Sequence, residues 1–487
     1  MSKSNSGVSA HTNSGFPSDL LLELRGGPGR PKALALAQDL RAAILGGRLA
    51  AGTRLPPSRV LAAELGLSRS VVVQAFTDLI VDGYLEARQG AGTRVRGEPA
   101  RAAAPPREAA PPPTGLEDAL LRVPARVRLL AGLPDPQLFP RAVWARHYRA
   151  ALAALPDPEL GYPDSRGAEV LRRALAAYLG RVRAVLVAPE HVLVCGGVTQ
   201  GLNLVCRALR RAGAKRIAVE DPCFGLHREA IALAGLEPVP VPVDEGGLDV
   251  AQLPAGVGAA LVAPAHSFPT GGTLGGDRRR ALVEWAARND AMLLEDDYDA
   301  ELRYDRTPVA ALQGLAPDRV VYLGSASKTF TPALRLGWIA APPQLAAALD
   351  DEKTYDDMGS SVLEQHAFAR VLDKGELARH LRRIRPVYRR RRDATIAALA
   401  ELFPDARRQG AAAGLHLYVT LAGDVDVRAL RRAAYERGVL VEDAARHWAD
   451  PADGASAIVV GYGSLPETSI RAALMTLREA LVSYAHQ

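Results

Sequence analysis

Asp296, Tyr298, Ser325, Ser327, Lys328 and Arg335 carry chemically complementary groups within one short stretch of the chain. Asp296 and Tyr298 stand in Glu295-Asp296-Asp297-Tyr298-Asp299, directly after the apolar run Met292-Leu293-Leu294. Ser325, Ser327 and Lys328 stand in Tyr322-Leu323-Gly324-Ser325-Ala326-Ser327-Lys328, and Arg335 in Leu334-Arg335-Leu336-Gly337. A lysine in a crowded, cationic site loses proton affinity and becomes a nucleophile toward an aldehyde. A carboxylate at a strand end can pair with a pyridinium N–H and keep that ring an electron sink. A phenol can hydrogen-bond a ring oxygen, and an arginine beside hydroxyls offers a phosphate a bidentate partner. Aldehyde, protonated pyridine, phenolic oxygen and phosphate are the parts of pyridoxal 5′-phosphate. The stretch is therefore a candidate site for it, with Lys328 as the candidate Schiff-base and catalytic residue. Taken alone, the acidic run also fits a magnesium site or a solvated loop. No histidine adjoins it, which argues against a transition metal.

Three earlier motifs also follow apolar runs. Gly196-Gly197-Val198-Thr199 follows Val192-Leu193-Val194-Cys195, and its Val198 and Thr199 amides and hydroxyl can face an anion at a helix start. Phe224 follows Ile217-Ala218-Val219 and can stack on a flat ring, although a lone phenylalanine there is more often a core residue. Pro264-Ala265-His266-Ser267-Phe268-Pro269-Thr270-Gly271 follows Ala259-Ala260-Leu261-Val262.

Positioning these groups requires a sheet. Strand, glycine turn and helix recur in that order, which predicts a mostly parallel α/β sheet with ligands beyond the C-terminal ends of its strands. Residues 128–487 exceed the usual size of one compact unit, so a large sheet domain and a small C-terminal subdomain are expected.

Residues 1–33 read as a flexible arm. From Leu34 the pattern becomes helical, with Leu36, Leu40 and Ile44 in phase before Gly46-Gly47. Ser58 and Ser68 can cap two further helices, the last with Val72, Ala75, Phe76, Leu79 and Ile80 facing inward. Two strand-like pieces, Tyr84–Ala87 and Thr93–Val95, flank Gln89-Gly90-Ala91-Gly92. Residues 34–96 therefore predict a winged helix-turn-helix. Ser68, Arg69 and Ser70 open the candidate recognition helix, Arg69 toward a guanine edge. Arg59 can meet a phosphate, and Arg94 can follow the Gly90 and Gly92 wing into a minor groove. Residues 97–127, with Pro105-Pro106 and Pro111-Pro112-Pro113, read as a semi-extended Pro/Ala linker.

Lysine accounts for only six of the 60 basic residues, so Lys328 has few competitors. The net charge of +6 is weak support for a polyanionic partner. Three cysteines without C-x-x-C spacing argue against a disulfide framework or zinc site and fit a reducing cytoplasm. No signal peptide or membrane span is expected.

The motifs Leu55-Pro56-Pro57-Ser58-Arg59, Leu67-Ser68-Arg69-Ser70, Gly83-Tyr84-Leu85 and Gly90-Ala91-Gly92-Thr93 resemble the DNA-binding domain of GntR-family regulators. The acidic run, Ser327-Lys328-Thr329 with Arg335-Leu336-Gly337, and His266-x-Phe268-Pro269-Thr270-Gly271 resemble fold type I aminotransferases, and more closely MocR-type regulators, which fuse the two. The resemblance implies Lys328 on the cofactor aldehyde, Asp296 on the pyridine nitrogen, Tyr298 on the phenolic oxygen and Phe224 stacking. It places Arg335, Ser325 and Ser327 on phosphate. It further implies a homodimer, double-stranded operator DNA as partner, and an amine, amino acid or vitamin B6 compound as effector. Two positions depart from the pattern. Ser267 stands where glutamine is common, and Val459 stands where an aminotransferase arginine grips the substrate carboxylate. The departure at Val459 favours a sensor over the alternative, an active aminotransferase carrying a DNA-binding domain.

Overall fold

The computed structural model describes residues 32–88, 92–96, 126–305, 309–410 and 412–485, in two units, Met1–Thr114 and Gly115–Gln487. The residues expected to form the N-terminal arm through residue 31, Gly90, and those expected to form the linker through residue 125 lie outside the described residues.

In the first unit, α1 (Lys32–Leu45) buries Leu36, Leu40 and Ile44 as their spacing requires. α2 (Ser58–Glu64) and α3 (Arg69–Val81) meet at 119°, with Gly66 at a φ of +63° in the turn. That angle is the helix-turn-helix geometry. Val72, Ala75, Phe76 and Leu79 of α3 are buried, but Ile80 is 37% exposed. At about 100° per residue it falls beyond the edge of the stripe those four define. Pro57, not Ser58, occupies the cap position of α2, and the Ser68 hydroxyl bonds Ser70 Oγ at 2.9 Å instead of a helix amide. β1 (Leu85–Arg88) and β2 (Gly92–Val95) form the antiparallel wing. A third segment joins it, because Leu55 N–H donates to Thr93 O and Val95 N–H to Thr53 O, both at 2.9 Å.

The second unit begins with β3 (Val127–Leu129), so the residue expected to end the linker already belongs to a sheet. After α4 (Glu169–Arg183) come β4 (Val192–Cys195), α5 (Val198–Arg211), β5 (Arg216–Asp221), α6 (Gly225–Leu233), β6 (Glu237–Asp244), β7 (Gly247–Leu248) and β8 (Ala259–Val262). β9 (Met292–Asp297), β10 (Val320–Ser325) and β11 (Gly337–Ala340) complete an eight-stranded sheet ordered β4-β11-β10-β9-β8-β5-β6-β7. The run from β10 to β6 is parallel, and β11 is antiparallel to both neighbours. Successive residues face opposite sides. Val194, Tyr322 and Trp338 pack with α4, while Leu193, Leu323 and Ile339 pack with α5.

β6 carries Pro238, Pro240 and Pro242 at alternate positions. Alternate residues turn their amides to opposite edges, so the missing donors all fall on one side. That side is the outer one: Pro242 O accepts from Asp249 N–H at 3.0 Å, while β5 pairs along the other edge.

The small subdomain is a second sheet, ordered β12 (Arg407–Gln409), β13 (His416–Thr420), β15 (Ala457–Gly461), β14 (Val439–Asp443) and β3. It is C-terminal except for β3, which pairs parallel with β14 through Val127↔Val439 and Leu129↔Val441.

Candidate functional site

Val198, Thr199, Phe224, Asp296, Tyr298, Ser325, Ser327, Lys328 and Arg335 all line one cavity of about 270 Å³. All nine cofactor candidates read from the sequence are thus brought together at the C-terminal ends of parallel strands, as the topology demands.

The acidic run sorts itself by strand alternation. Glu295 and Asp297 share one face of β9, and Asp296 takes the other. Glu295 accepts the amides of Leu312 and Gln313 at 2.8 and 2.9 Å. Asp297 is held by Arg183 at 2.7 and 3.1 Å and by the Tyr322 hydroxyl at 2.6 Å. Asp299 lies 2.9 Å from His266 Nδ1, which also meets the Tyr298 hydroxyl at 2.8 Å. Three of the four carboxylates therefore have protein partners. Asp296 Oδ1 is buried without one, and Oδ2 comes only to 3.8 Å from His227 Nε2. Burial, then the charges of Asp297, Asp299 and Glu220, push the Asp296 carboxyl up to about 8, with Lys328 opposing. A buried acid in this condition calls for a cation, and a pyridinium N–H supplies one. Burial pushes the Tyr298 phenol well above its usual value, so it stays a donor. No group of three or more His, Cys, Asp or Glu side chains among the described residues has the arrangement of a metal site.

Lys328 is half-buried three residues past β10. Burial holds its amine below the usual lysine value, against Asp299, Asp296 and Glu442, and Arg335 adds to the lowering. Gly132, at a φ of +67°, lies so close that a Cβ there would stand 3.0 Å from Lys328 Nζ. At the other end of the cavity, Gly197 (φ +114°) precedes α5, and a Cβ on it would stand 3.2 Å from Arg335 Nη2. Gly337 abuts Gly197 so closely that a Cβ would fall 2.6 Å from its Cα. Arg335, itself in the left-handed region at a φ of +48°, is thus set beside the first-turn amides of Val198 and Thr199. Those amides have no intrahelical acceptor. Ser325 Oγ accepts Ser327 N–H at 3.4 Å. Arginine, two hydroxyls and free amides form a phosphate cradle, so the cavity fits pyridoxal phosphate at both ends.

Phe224 stands at the start of α6 with its ring edge-on to Phe268 (5.5 Å) and His227 (5.2 Å) and roughly parallel to His447 (6.3 Å, 26°). His227 and Glu442 line the cavity unannounced by any local sequence pattern. Burial drops the His227 imidazole to about 4, which leaves it neutral.

On the first unit Arg59, Ser68, Arg69, Ser70, Gly92 and Arg94 are exposed. Arg59 rides on α2, and the serines and Arg69 open α3. Arg94 Nη1 donates to Gly52 O at 3.2 Å. Arg54, not singled out in the sequence, lies against Gly92, where a Cβ would meet its Nε at 3.1 Å.

Residues 32–95 match the family described as bacterial regulatory proteins, gntR family, and residues 134–447 match aminotransferase class I and II. The pyridoxine biosynthesis transcriptional regulator PdxR of Corynebacterium glutamicum is 34% identical over 446 residues, covering 92% of this chain and 95% of its own. The probable rhizopine catabolism regulatory protein MocR of Rhizobium meliloti is 32% identical over 93% and 94%. The chain belongs to the MocR-type regulators of the GntR family. As a MocR-type regulator it joins a DNA-binding domain to a pyridoxal-phosphate-dependent, aminotransferase-like domain. Among solved structures, the multiple substrate aminotransferase of Thermococcus profundus superposes with a TM-score of 0.70 at 25% identity, over 76% of this chain and 96% of that one. The kynurenine aminotransferase of Pyrococcus horikoshii gives 0.68 at 26%, over 74% and 91%. Among the described residues, no single helix is long and apolar enough to cross a membrane.

Proposed function

We propose that the cavity is the sensing site and that Lys328 is the group an amine effector displaces. The observation that carries this reading is Asp296, a buried carboxyl without a partner in the same cavity as a lysine whose amine is held low. Bound there, pyridoxal phosphate supplies an aldehyde that combines reversibly with primary amines and a ring that accepts electrons. Asp296 would hold the ring-nitrogen proton, Tyr298 would donate to the phenolic oxygen, and Phe224 would cover the ring face. Arg335, Ser325, Ser327 and the amides of Val198 and Thr199 would hold the phosphate. Arg59, Ser68, Arg69, Ser70, Gly90, Gly92 and Arg94 would meet the operator. An effector that distinguishes two states of the large domain would then shift operator binding. Two relatives are named for pyridoxine biosynthesis and for rhizopine catabolism, which supports including a vitamin B6 compound beside amines among the effectors to test.

A homodimer completes the reading. Tyr162 (88% exposed) and Tyr355 (89%) sit on neighbouring segments, because Gly359 abuts Pro163 and Asp164 O. Large apolar side chains in such positions suit burial in an interface. Domain limits of 1–33, 34–96, 97–127 and 128–487 are part of the proposal, with the last moved forward to include β3.

The alternative is a working transaminase, favoured by the completeness of the cofactor set. Against it, Val459 is fully buried in β15 and offers no cation to a carboxylate. Operator affinity, measured for the cofactor-free protein and for the loaded protein with and without a panel of amines, is expected to shift in the wild type and not in Lys328→Ala. Unchanged affinity throughout refutes sensing. Steady turnover of an amino acid with 2-oxoglutarate establishes the transaminase.

A further inference from the structure

Glu442 belongs to the cavity but to none of the roles above. It lies on β14 opposite Val459 in register, 3% exposed, and it lines the same wall as Lys328. Its Oε2 accepts Ala131 N–H at 2.9 Å, and its Oε1 meets His447 Nε2 at 3.0 Å. His447 Nδ1 faces the Gly225 N–H at 3.4 Å, so Nε2 carries the proton and donates. Arg446 stands 4.0 Å behind. Burial alone would push this carboxyl up, but His447, the Ala131 amide and Arg446 outweigh it and hold it below the usual range. Glu442 is therefore an anion, and two bonds leave further lone pairs toward the cavity.

Among the described lining residues, the charged groups are Asp296, Glu442, Lys328 and Arg335. The reading above, on which this inference rests, commits Asp296 to the ring, Lys328 to the aldehyde and Arg335 to the phosphate. Glu442 remains, and no cation remains. The neighbouring Val459 is apolar, and His227 is neutral. A Cβ on Gly132 would stand 3.0 Å from Lys328 Nζ while Ala131, one residue before it, donates to Glu442, so this uncommitted anion is adjacent to the point of amine attachment.

We propose that Glu442 receives a second cationic group of the effector, which makes the effector class a diamine and disfavours an amino carboxylate. A carboxylate substituent there would face a buried anion, whereas an ammonium would form a charge-assisted bond in a desolvated site.

The test uses the full-length holoprotein and three probes matched in length: 1,4-diaminobutane, 1-aminobutane and 4-aminobutanoate, with their shorter and longer homologues. Affinity is read by calorimetry and by the change in the visible cofactor spectrum. The diamine is expected to bind about tenfold or more tightly than the monoamine, with the carboxylate weakest, and Glu442→Gln to level the three. Cofactor loading is expected to persist in Glu442→Gln, which separates an effector role from a structural one. If that variant does not fold, the wild-type ranking still decides. A ranking with the carboxylate first, or a diamine preference that survives Glu442→Gln, overturns the proposal and leaves sensing at Lys328 intact. If no primary amine perturbs the wild-type holoprotein, the underlying reading of Lys328 fails, and this proposal with it.

Discussion

Asp296→Asn is expected to act in opposite directions on the cofactor-free and the loaded protein. Without cofactor, the Asp296 carboxyl titrates at about 8 against an ordinary 3.8. A carboxyl whose pKa rises on folding binds a proton that the unfolded chain has already released. The native state therefore loses stability as pH climbs from about 4 toward 8, and the loss levels off above that. At pH 7 the gap spans about three units, or roughly 4 kcal/mol. Asparagine removes this cost but leaves a buried amide without partners, at about 1–3 kcal/mol. The cofactor-free variant is therefore expected to be about 2 kcal/mol more stable than wild type at pH 7 and no more stable near pH 4.5, where little of the linked cost applies. In a domain of this size that corresponds to roughly 2–3 °C in melting temperature. With cofactor the sign reverses, because breaking a buried charge pair costs about 2–5 kcal/mol of binding. Thermal unfolding from pH 4.5 to 8.5 and a pyridoxal phosphate titration read both effects. If the variant is less stable than wild type by the same margin at every pH, or binds the cofactor as well as wild type, Asp296 is not a carboxyl awaiting a cation.

Lys328→Ala is expected to lose the visible absorption band of the holoprotein while retaining its fold, read by absorbance and circular dichroism. Arg69→Ala is expected to cost about 1–3 kcal/mol of operator binding and to relax preference at one base position. Arg59→Ala is expected instead to weaken all sequences alike and to lower the salt-dependence slope by about one, measured by titration across salt concentrations. Arg183→Met leaves the buried Asp297 carboxylate without its cation and with only the Tyr322 hydroxyl as side-chain partner, and is expected to destabilise the large domain by about 3–5 kcal/mol in chemical unfolding.

Most of the cofactor set was readable because its members end a strand or follow one closely, and apolar runs mark strand ends locally; Arg335 instead stands two residues before β11. Asp296 was set apart from its acidic neighbours by its place at a strand end and by the family resemblance, and alternation along β9 gives the physical reason. Glu442, His227 and Arg54 left no local trace, since their roles arise from pairings across the fold: Glu442 with Ala131, Arg54 with the wing glycine. β6 is not among the strands read from the sequence; three prolines stand in it, and their alternate spacing is what confines the lost donors to one edge. Ile80 was misassigned by extending a stripe one residue past its arc. β3 is three residues long, and only its partner β14, far along the chain, makes it a strand.

That brief strand gives the large domain a mechanical character. The chain leaving the linker runs as β3 directly into Leu130-Ala131-Gly132, the residues against Glu442 and Lys328, and is fastened to β14 by parallel pairing. A load applied at Val127 acts along the strand axis, in shear against all three paired positions at once rather than peeling them in turn. The fastening therefore resists until it slips as a unit, and its far end is the wall of the cavity.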